Sequence, residues 1–562
     1  MNDVLKSKEN DCRSCYKCIR NCPAKSISFQ DGQAKIIPSE CVLCGTCFEV
    51  CPQRCKIIRD DKALARDLLS SGEAYASVAP SFLSSFPGVS FPSLREALMD
   101  LGFADAEETA LGATLVKNEY ESILRGGADV VISTCCHAIN LLIEKHYPEC
   151  LGYLAKTLSP MQAHGRSLKE RHPGAKVVFL GPCIAKKDEV DRYPGYVDCA
   201  LTFLELASLF EEKGIKPEQK EAQKEERSAC RLFPSEGGVL QTMRKEEGID
   251  YISVSGMANC VKALEDLREG KIHRAFIEMS SCPGSCLNGP AHVKSGHKPL
   301  ESLIALRRSA GKEDFEVKPL ASSLEKGFLD LSSHEKEPSE EEIAEVLKKI
   351  GKVSKKDELN CSSCGYASCR EKAIAVLQGK ASLEMCLPFL MEKATSFGSD
   401  IVEYSPNGII VLNEDGVVQL SNPSMASMLG VGSPSAILGQ SIAMYLDPEP
   451  FFLSLSGVST RLKKMELSNG KIGEVSIHYD EKYHIIIGSI RDVTDHERRK
   501  AKHIKDAEET ARVTSLVIDK NMEAVQQIAQ LLGESAAATK IALTRLSDTL
   551  QDRKGNSGNE SK

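Results

Sequence analysis

Cysteine is the residue type that could do chemistry here, and its 22 copies are grouped rather than scattered. Phe276 to Gly289, FIEMSSCPGSCLNG, reads as an apolar strand that stops at Ser280 and opens into a loop carrying Cys282 and Cys286 around Pro283 and Gly284. Ala128 to Thr134, ADVVIST, runs straight into Cys135 and Cys136, and Ala175 to Gly181, AKVVFLG, runs into Pro182 and Cys183. Short β-rich runs ending in loops, with helical stretches between them, predict parallel strands of an α/β domain, whose sites lie outside the carboxyl ends of the strands. Three strand ends then deliver thiols to one place, and Cys136, Cys183, Cys282 and Cys286 make the full set for one 4Fe-4S cubane. The competing reading is a set of buried free cysteines, since Cys packs like a small hydrophobe.

The three loops resemble the signature motifs of the catalytic domain of iron-iron hydrogenases. A Thr-Ser-Cys-Cys motif stands as Ser133, Thr134, Cys135 and Cys136. A Pro-Cys-x-x-Lys-Lys-x-Glu motif stands as Pro182, Cys183, Lys186, Lys187 and Glu189, and Glu-x-x-x-Cys-x-x-x-Cys as Glu278, Cys282 and Cys286. The resemblance implies that four thiolates hold a cubane and that Cys286 also bridges to a two-iron subsite bearing CO, cyanide and an azadithiolate. It implies that Lys186, with Pro80 and Ser81, hydrogen-bonds the cyanides, and that Cys135 is the first proton acceptor beside the bridging amine. H2 cleavage in this scheme is heterolytic.

Several positions depart from that family. Gly181 and Ser280 stand where methionines line the two-iron site, His137 replaces a proline, Ile139 a tryptophan, and the third motif ends in Asn288, Gly289 and Pro290 instead of a glycine run. Catalytic members relay protons from the loop cysteine through two glutamates and a serine. Ala155 stands in register with that serine, and Glu119 or Glu121 is the candidate for the first glutamate. Since a proton relay needs groups within hydrogen-bond reach, a missing link predicts slow proton exit.

The elements that must carry these residues extend in both directions. Residues 1–59 hold Cys12, Cys15, Cys18 and Cys22 followed by proline, then Cys41, Cys44, Cys47 and Cys51 followed by proline. In the two-cluster bacterial ferredoxin pattern, three cysteines of a run bind one cubane and the fourth crosses to the other. That predicts Cys12, Cys15, Cys18 and Cys51 on one cluster and Cys41, Cys44, Cys47 and Cys22 on the second; zinc is the alternative, poorly suited to this spacing. Cys55 is left over and read as inert. Residues 60–310 form the α/β domain, in which Cys150, Cys199, Cys230 and Cys260 read as structural and His137 and His164 as packing residues rather than proton donors.

Residues 311–356 are charged and read as a linker. In 357–396, Cys361, Cys364, Cys369 and Cys386 form a further 4Fe-4S site or, less well, a zinc site; the stretch resembles the small cluster domain of corrinoid iron-sulfur and electron-transport proteins. Residues 397–497 alternate short β runs with turns, Asp415-Gly416 being a hairpin signal, and resemble a PAS sensory domain. The absence of cysteine there excludes flavin-adduct photochemistry, and His478 and His484 read as ordinary strand or surface histidines rather than haem ligands. Over 498–552, Ile518, Met522, Val525, Ala529, Leu532, Ala536, Thr539, Leu543, Leu546 and Leu550 alternate steps of four and three residues, which predicts a homodimeric coiled coil. Residues 553–562 read as a disordered tail.

The expected fold is therefore multidomain α/β: a two-cluster ferredoxin domain, an α/β hydrogenase domain, a small 4Fe-4S domain, an α+β PAS domain and a C-terminal helix. With 562 residues, 42% hydrophobic and 27% charged, the composition is that of an ordinary soluble protein. No apolar run is long enough for a membrane span and the start lacks the apolar core of a signal peptide, so the expected location is the cytoplasm. A net charge of −8 argues against nucleic acid as partner. PAS and coiled coil at the end of a hydrogenase suit signal transduction, so the expected function is an H2-sensing regulatory hydrogenase of low turnover, signalling in trans to a kinase or phosphatase. Two alternatives stay open: a catalytic hydrogenase that exchanges electrons with ferredoxin, and a redox sensor with cubanes but no two-iron subsite.

Overall fold

The computed structural model describes residues 4–8, 11–70, 72–219, 226–293, 298–333, 338–457, 460–467, 470–495 and the isolated positions 518, 520 and 522. Two bodies emerge, Met1–Leu347 with Ser354–Ser382, and Lys348–Val353 with Leu383–Lys562.

The first body begins with two antiparallel pairs. β1 (Leu5–Ser7) pairs with β4 (Lys56–Ile58), and β2 (Ile27–Gln30) with β3 (Gln33–Ile36). Between them the short helices Lys17–Arg20 and Thr46–Val50 each follow a left-handed residue, Tyr16 and Gly45. The chain thereby repeats one motif twice, each copy wrapping a Cys-rich loop.

Seven parallel strands follow in two sheets. β5 (Ala74–Val78), β6 (Asp105–Glu108), β8 (Lys176–Gly181) and β9 (Cys199–Thr202) run in the order β6-β5-β8-β9, while β7 (Val130–Ile132), β10 (Asp250–Ser255) and β11 (Ala275–Ser280) run in the order β10-β11-β7. Val177 to Leu180 are all buried, as is every residue of β11, because helices cover both faces of a parallel sheet. The thiol-bearing strands are thus divided: β7 and β11 are neighbours, with Ile277 opposite Ile132, whereas β8 lies in the other sheet beside β5, with Val78 opposite Leu180. Period alone shows a buried parallel strand but not which sheet it joins.

The stretch read from its charge as a linker, 311–356, is packed for part of its length. Leu158 donates its N–H to the Leu324 carbonyl, and Leu331 donates to that of Glu144. The Lys326 side chain is buried, with Nζ 2.7 Å from Glu189 Oε1 and 2.9 Å from Gln162 Oε1. The run of charges hid this, because one of its lysines, Lys326, finds its anion inside the domain.

In the second body, β12 (Gly408–Asn413), β13 (Val418–Ser421), β14 (Thr460–Glu466), β15 (Ile472–Asp480) and β16 (Ile485–Asp492) make an antiparallel sheet in the order β13-β12-β16-β15-β14. Buried Asn422 ties it together, accepting from Ile409 N and Met425 N and donating to the carbonyls of Val402 and Asn407. His478 is exposed, and exposed His484 pairs with Glu414 at 3.0 Å. The heptad positions from Val525 onward lie outside the described residues, as does the tail. Among the described residues no helix is long and apolar enough to cross a membrane.

Candidate metal-cluster sites

Two small cavities sit inside the N-terminal repeat. One, about 20 Å³, is lined by Cys12, Cys15, Cys18 and Cys51; the other, also about 20 Å³, by Cys22, Cys41, Cys44 and Cys47. Each ring takes three thiols from one run and the fourth from the other. Left-handed Ser14 and Tyr16 flank Cys15, and left-handed Leu43 and Gly45 flank Cys44. This curl turns backbone N–H groups inward, and Leu43 N donates to Cys41 Sγ at 3.4 Å. Burial pushes the Cys18 thiol up to about 11 and that of Cys22 to about 12, so a metal must displace protons to bind. Cys55, expected to be idle, lines the first cavity with its Sγ 3.3 Å from Cys51 Sγ. Its backbone N–H donates to Cys51 Sγ at 3.4 Å.

A third cavity of about 110 Å³ opens where the two parallel sheets converge. Its wall carries Cys135 and Cys136 from the loop after β7, Cys183 from the loop after β8, and Cys282 and Cys286 from the loop after β11, together with Pro80, Ser81 and Lys186. All three strand ends therefore reach one space from two sheets. Burial is the first cause that pushes the Cys183 thiol up to about 11 and the Cys135 thiol to about 12. Ser81 is fully buried and its hydroxyl has no hydrogen-bond partner among the described residues; such an orphan is costly unless something in the cavity accepts its hydrogen bond.

The two lysines of the second motif have separate tasks. Lys186 is held by Glu189 and by the Cys135 carbonyl at 3.1 Å, which leaves one ammonium proton for the cavity. Burial opposes its charge, but Glu189 and the nearby thiols outweigh that and raise its pKa. Lys187 points away into a buried ion cluster, 2.7 Å from Asp61 and 2.8 Å from Glu205. At the positions where the family has methionines, a Cβ on Gly181 would lie 2.7 Å from the Phe179 ring, which fills that place, and Ser280 accepts from Ser285 at 2.9 Å.

Beside Cys135 the structure places Tyr120, between the two glutamates considered from sequence. Its hydroxyl lies 3.3 Å from Cys135 Sγ and 3.3 Å from Thr134 Oγ1, and it accepts from Thr134 N at 2.8 Å. Glu121 instead accepts from Arg244 N. Helical geometry explains the substitution: in Ala110–Arg125 only one of three successive residues can face the loop. Thr134 in turn donates to the Thr157 carbonyl at 3.1 Å. Cys230, read as structural, also lines the cavity, its Sγ 3.1 Å from Asp314 Oδ1; its isolation in sequence gave no signal. His164 is a buried packing residue between Ser77 (2.8 Å) and Glu107 (3.1 Å). His137 lines the cavity and is 2.7 Å from Asp188.

Cys361, Cys364 and Cys369 belong to the first body; Cys386 precedes the helix Leu387–Glu403 of the second. Among the described residues no three His, Cys, Asp or Glu side chains close on a point as a single ion requires; in the three cavities the thiols surround a space instead.

Residues 73–290 match the family described as iron only hydrogenase large subunit, C-terminal domain. Residues 5–52 match a 4Fe-4S dicluster domain, 357–388 a putative Fe-S cluster family, and 396–492 the PAS fold. The chain therefore carries an iron-iron hydrogenase domain joined to a dicluster ferredoxin module and a PAS domain. It is 26% identical over 286 residues to iron hydrogenase 1 of Clostridium pasteurianum, covering 41% of this chain and 50% of that protein. It is 24% identical over 355 residues to the periplasmic iron hydrogenase large subunit of Nitratidesulfovibrio vulgaris, covering 50% and 84%. A solved FeFe-hydrogenase of Chlamydomonas reinhardtii aligns with a TM-score of 0.40 at 18% identity, covering 48% of this chain and 99% of that one. The chain thus spans half the length of the first of these curated relatives.

Proposed function

We propose that the protein is an H2-responsive regulatory hydrogenase of low turnover that passes redox state through iron-sulfur clusters to its PAS domain and on to a signalling protein. The observation that carries the reading is the cavity itself: Cys136, Cys183, Cys282 and Cys286 on its wall suit a cubane, and the orphaned Ser81 hydroxyl and the third Lys186 proton suit anionic ligands of a two-iron group beside it. Heterolysis of H2 is the chemistry such a group supplies when bound. Cys135 stands on the same wall, protonated at neutral pH because burial raises its thiol, and is placed to exchange a proton with the cavity.

From Cys135 the hydrogen bonds run to Tyr120, Thr134 and then the Thr157 carbonyl. A carbonyl accepts a hydrogen bond but has no proton to pass on, and burial pushes the Tyr120 hydroxyl well up. Proton exit by this route is slow, which suits a sensor that reports H2 rather than one that turns it over. The attached PAS domain supports the same reading, since redox state becomes a signal only through an element with two near-equal states.

Infrared spectroscopy after loading by the family's maturation enzymes tests the reading. CO and cyanide stretches together with slow H2 evolution from a reduced dye are expected. Stretches with rapid evolution would make the protein a working catalyst, and absence of the stretches would leave a multi-cluster redox carrier.

A further inference from the structure

The small cysteine module lies against the N-terminal repeat. Phe29 N donates to the Lys380 carbonyl at 2.8 Å, Gln30 Nε2 to that of Gly379 at 3.2 Å, and the Arg20 guanidinium to those of Ser362 and Ser363 at 3.2 and 3.3 Å. Lys25 Nζ donates to the Gly365 carbonyl at 3.4 Å. Gly365 has φ +93°, and a Cβ there would lie 3.1 Å from Ile19 Cγ2, so the two backbones approach as closely as glycine allows.

The contact falls beside the ring of Cys22, Cys41, Cys44 and Cys47. Glu40, next to Cys41, pairs with Lys380 at 2.8 Å. The same segment is held from the other side by the helix His137–His146, which starts at cavity residue Cys136: His146 donates to the Glu40 carbonyl at 2.7 Å and Lys145 to that of Cys41 at 2.8 Å. Gly45 meets Pro290 and Ile184 of the cavity loops, where a Cβ would lie 2.5 and 2.9 Å away. Tyr366 is 3% exposed and its hydroxyl has no partner among the described residues. Lys25 Nζ lies over its ring, 5.7 Å from the centroid, which puts the tyrosine at this same contact. A cluster sulfur is the kind of acceptor this hydroxyl lacks.

We propose that the ring of Cys22, Cys41, Cys44 and Cys47 is an electron junction that serves both the cavity and the small module, with the Tyr366 hydroxyl at the second contact. This rests on the reading that both cysteine sets hold 4Fe-4S clusters. One electron leaves the reduced junction cluster and one arrives on the oxidised module cluster, with no bond or proton changed; H2 at the cavity, or dithionite in the test, is the reductant.

The full chain, reconstituted with iron and sulfide and reduced with dithionite, is examined by electron paramagnetic resonance. The junction signal is expected to be broadened by spin coupling to the module cluster. Cys364→Ser should narrow it and lower bound iron by one cluster, whereas the double variant R20E and K25E should narrow it with iron unchanged. Tyr366→Phe should shift a cluster potential downward with all iron retained. A line shape unaffected by both Cys364→Ser and the double variant overturns the junction. An iron content unaffected by Cys364→Ser overturns the cluster reading beneath it.

Discussion

Tyr120 occupies the place beside Cys135 where a proton acceptor of low pKa would make exchange fast. Replacing it with Phe removes the hydroxyl but keeps the ring that packs on Phe276, 5.3 Å between centroids. In Tyr120→Phe the infrared stretches of the loaded protein should persist while H2/D2 exchange falls by a further 10²-fold or so, the usual scale for one acid-base group; unchanged exchange would show that protons leave elsewhere, for example past Cys230 and Asp314. Glu278 offers a second measurement. Burial, offset in part by the N–H groups of Leu240, Val239 and Gly237, raises it from 4.5 to about 7. Below pH 4.5 the carboxyl is protonated folded and unfolded and costs nothing. Between pH 4.5 and 7 the unfolded carboxyl ionises while the buried one stays protonated, so about 3 kcal/mol of stability is lost across that window and no more above it. Glu278→Gln should therefore gain in melting midpoint relative to the natural protein from about pH 4.5 to 7 and hold that gain above it, and a difference independent of pH would refute the burial argument.

At the level of elements, two contacts hold the cavity in register. The Cys44 loop meets the third-motif loop at Gly45, so Gly45→Ala must push Pro290 aside at φ +80°. A loss of about 1–3 kcal/mol is expected for such overpacking, read as a lower melting midpoint with both N-terminal clusters retained. The strap ending near Leu331 supplies Lys326 to Glu189, the carboxylate that positions Lys186. Lys326→Met should cost about 3 kcal/mol, because removing one partner of a buried pair leaves its charge uncompensated. Equal stability would mean that Lys186 alone neutralises Glu189.

On the scale of the whole molecule, β16 is the central strand of the PAS sheet and ends at Asp492, which accepts from Thr494 N and Oγ1, while Thr494 Oγ1 accepts from Ile472 N at 3.0 Å. These bonds anchor Thr494 to the first residue of β15. The heptad pattern after Asp495 predicts that truncation there converts dimers to monomers in light scattering; dimers that persist would place the interface elsewhere.

Spacing by itself determined the grouping of the cysteines, because metal-cluster ligands sit at short intervals on tight loops and those intervals are visible in one dimension. Cys12 to Cys51, the three strand-end motifs and the PAS turns were legible for that reason. Tertiary structure alone decided that β8 belongs to a different sheet from β7 and β11, that Tyr120 rather than Glu119 or Glu121 faces Cys135, and that Cys55 and Cys230 stand beside cluster cavities. It also decided that 311–331 is a strap and that the small module rests on Arg20, Lys25 and Phe29 of the N-terminal repeat. These are contacts between residues far apart in the chain, fixed by burial and charge pairing across elements, and no local period encodes them.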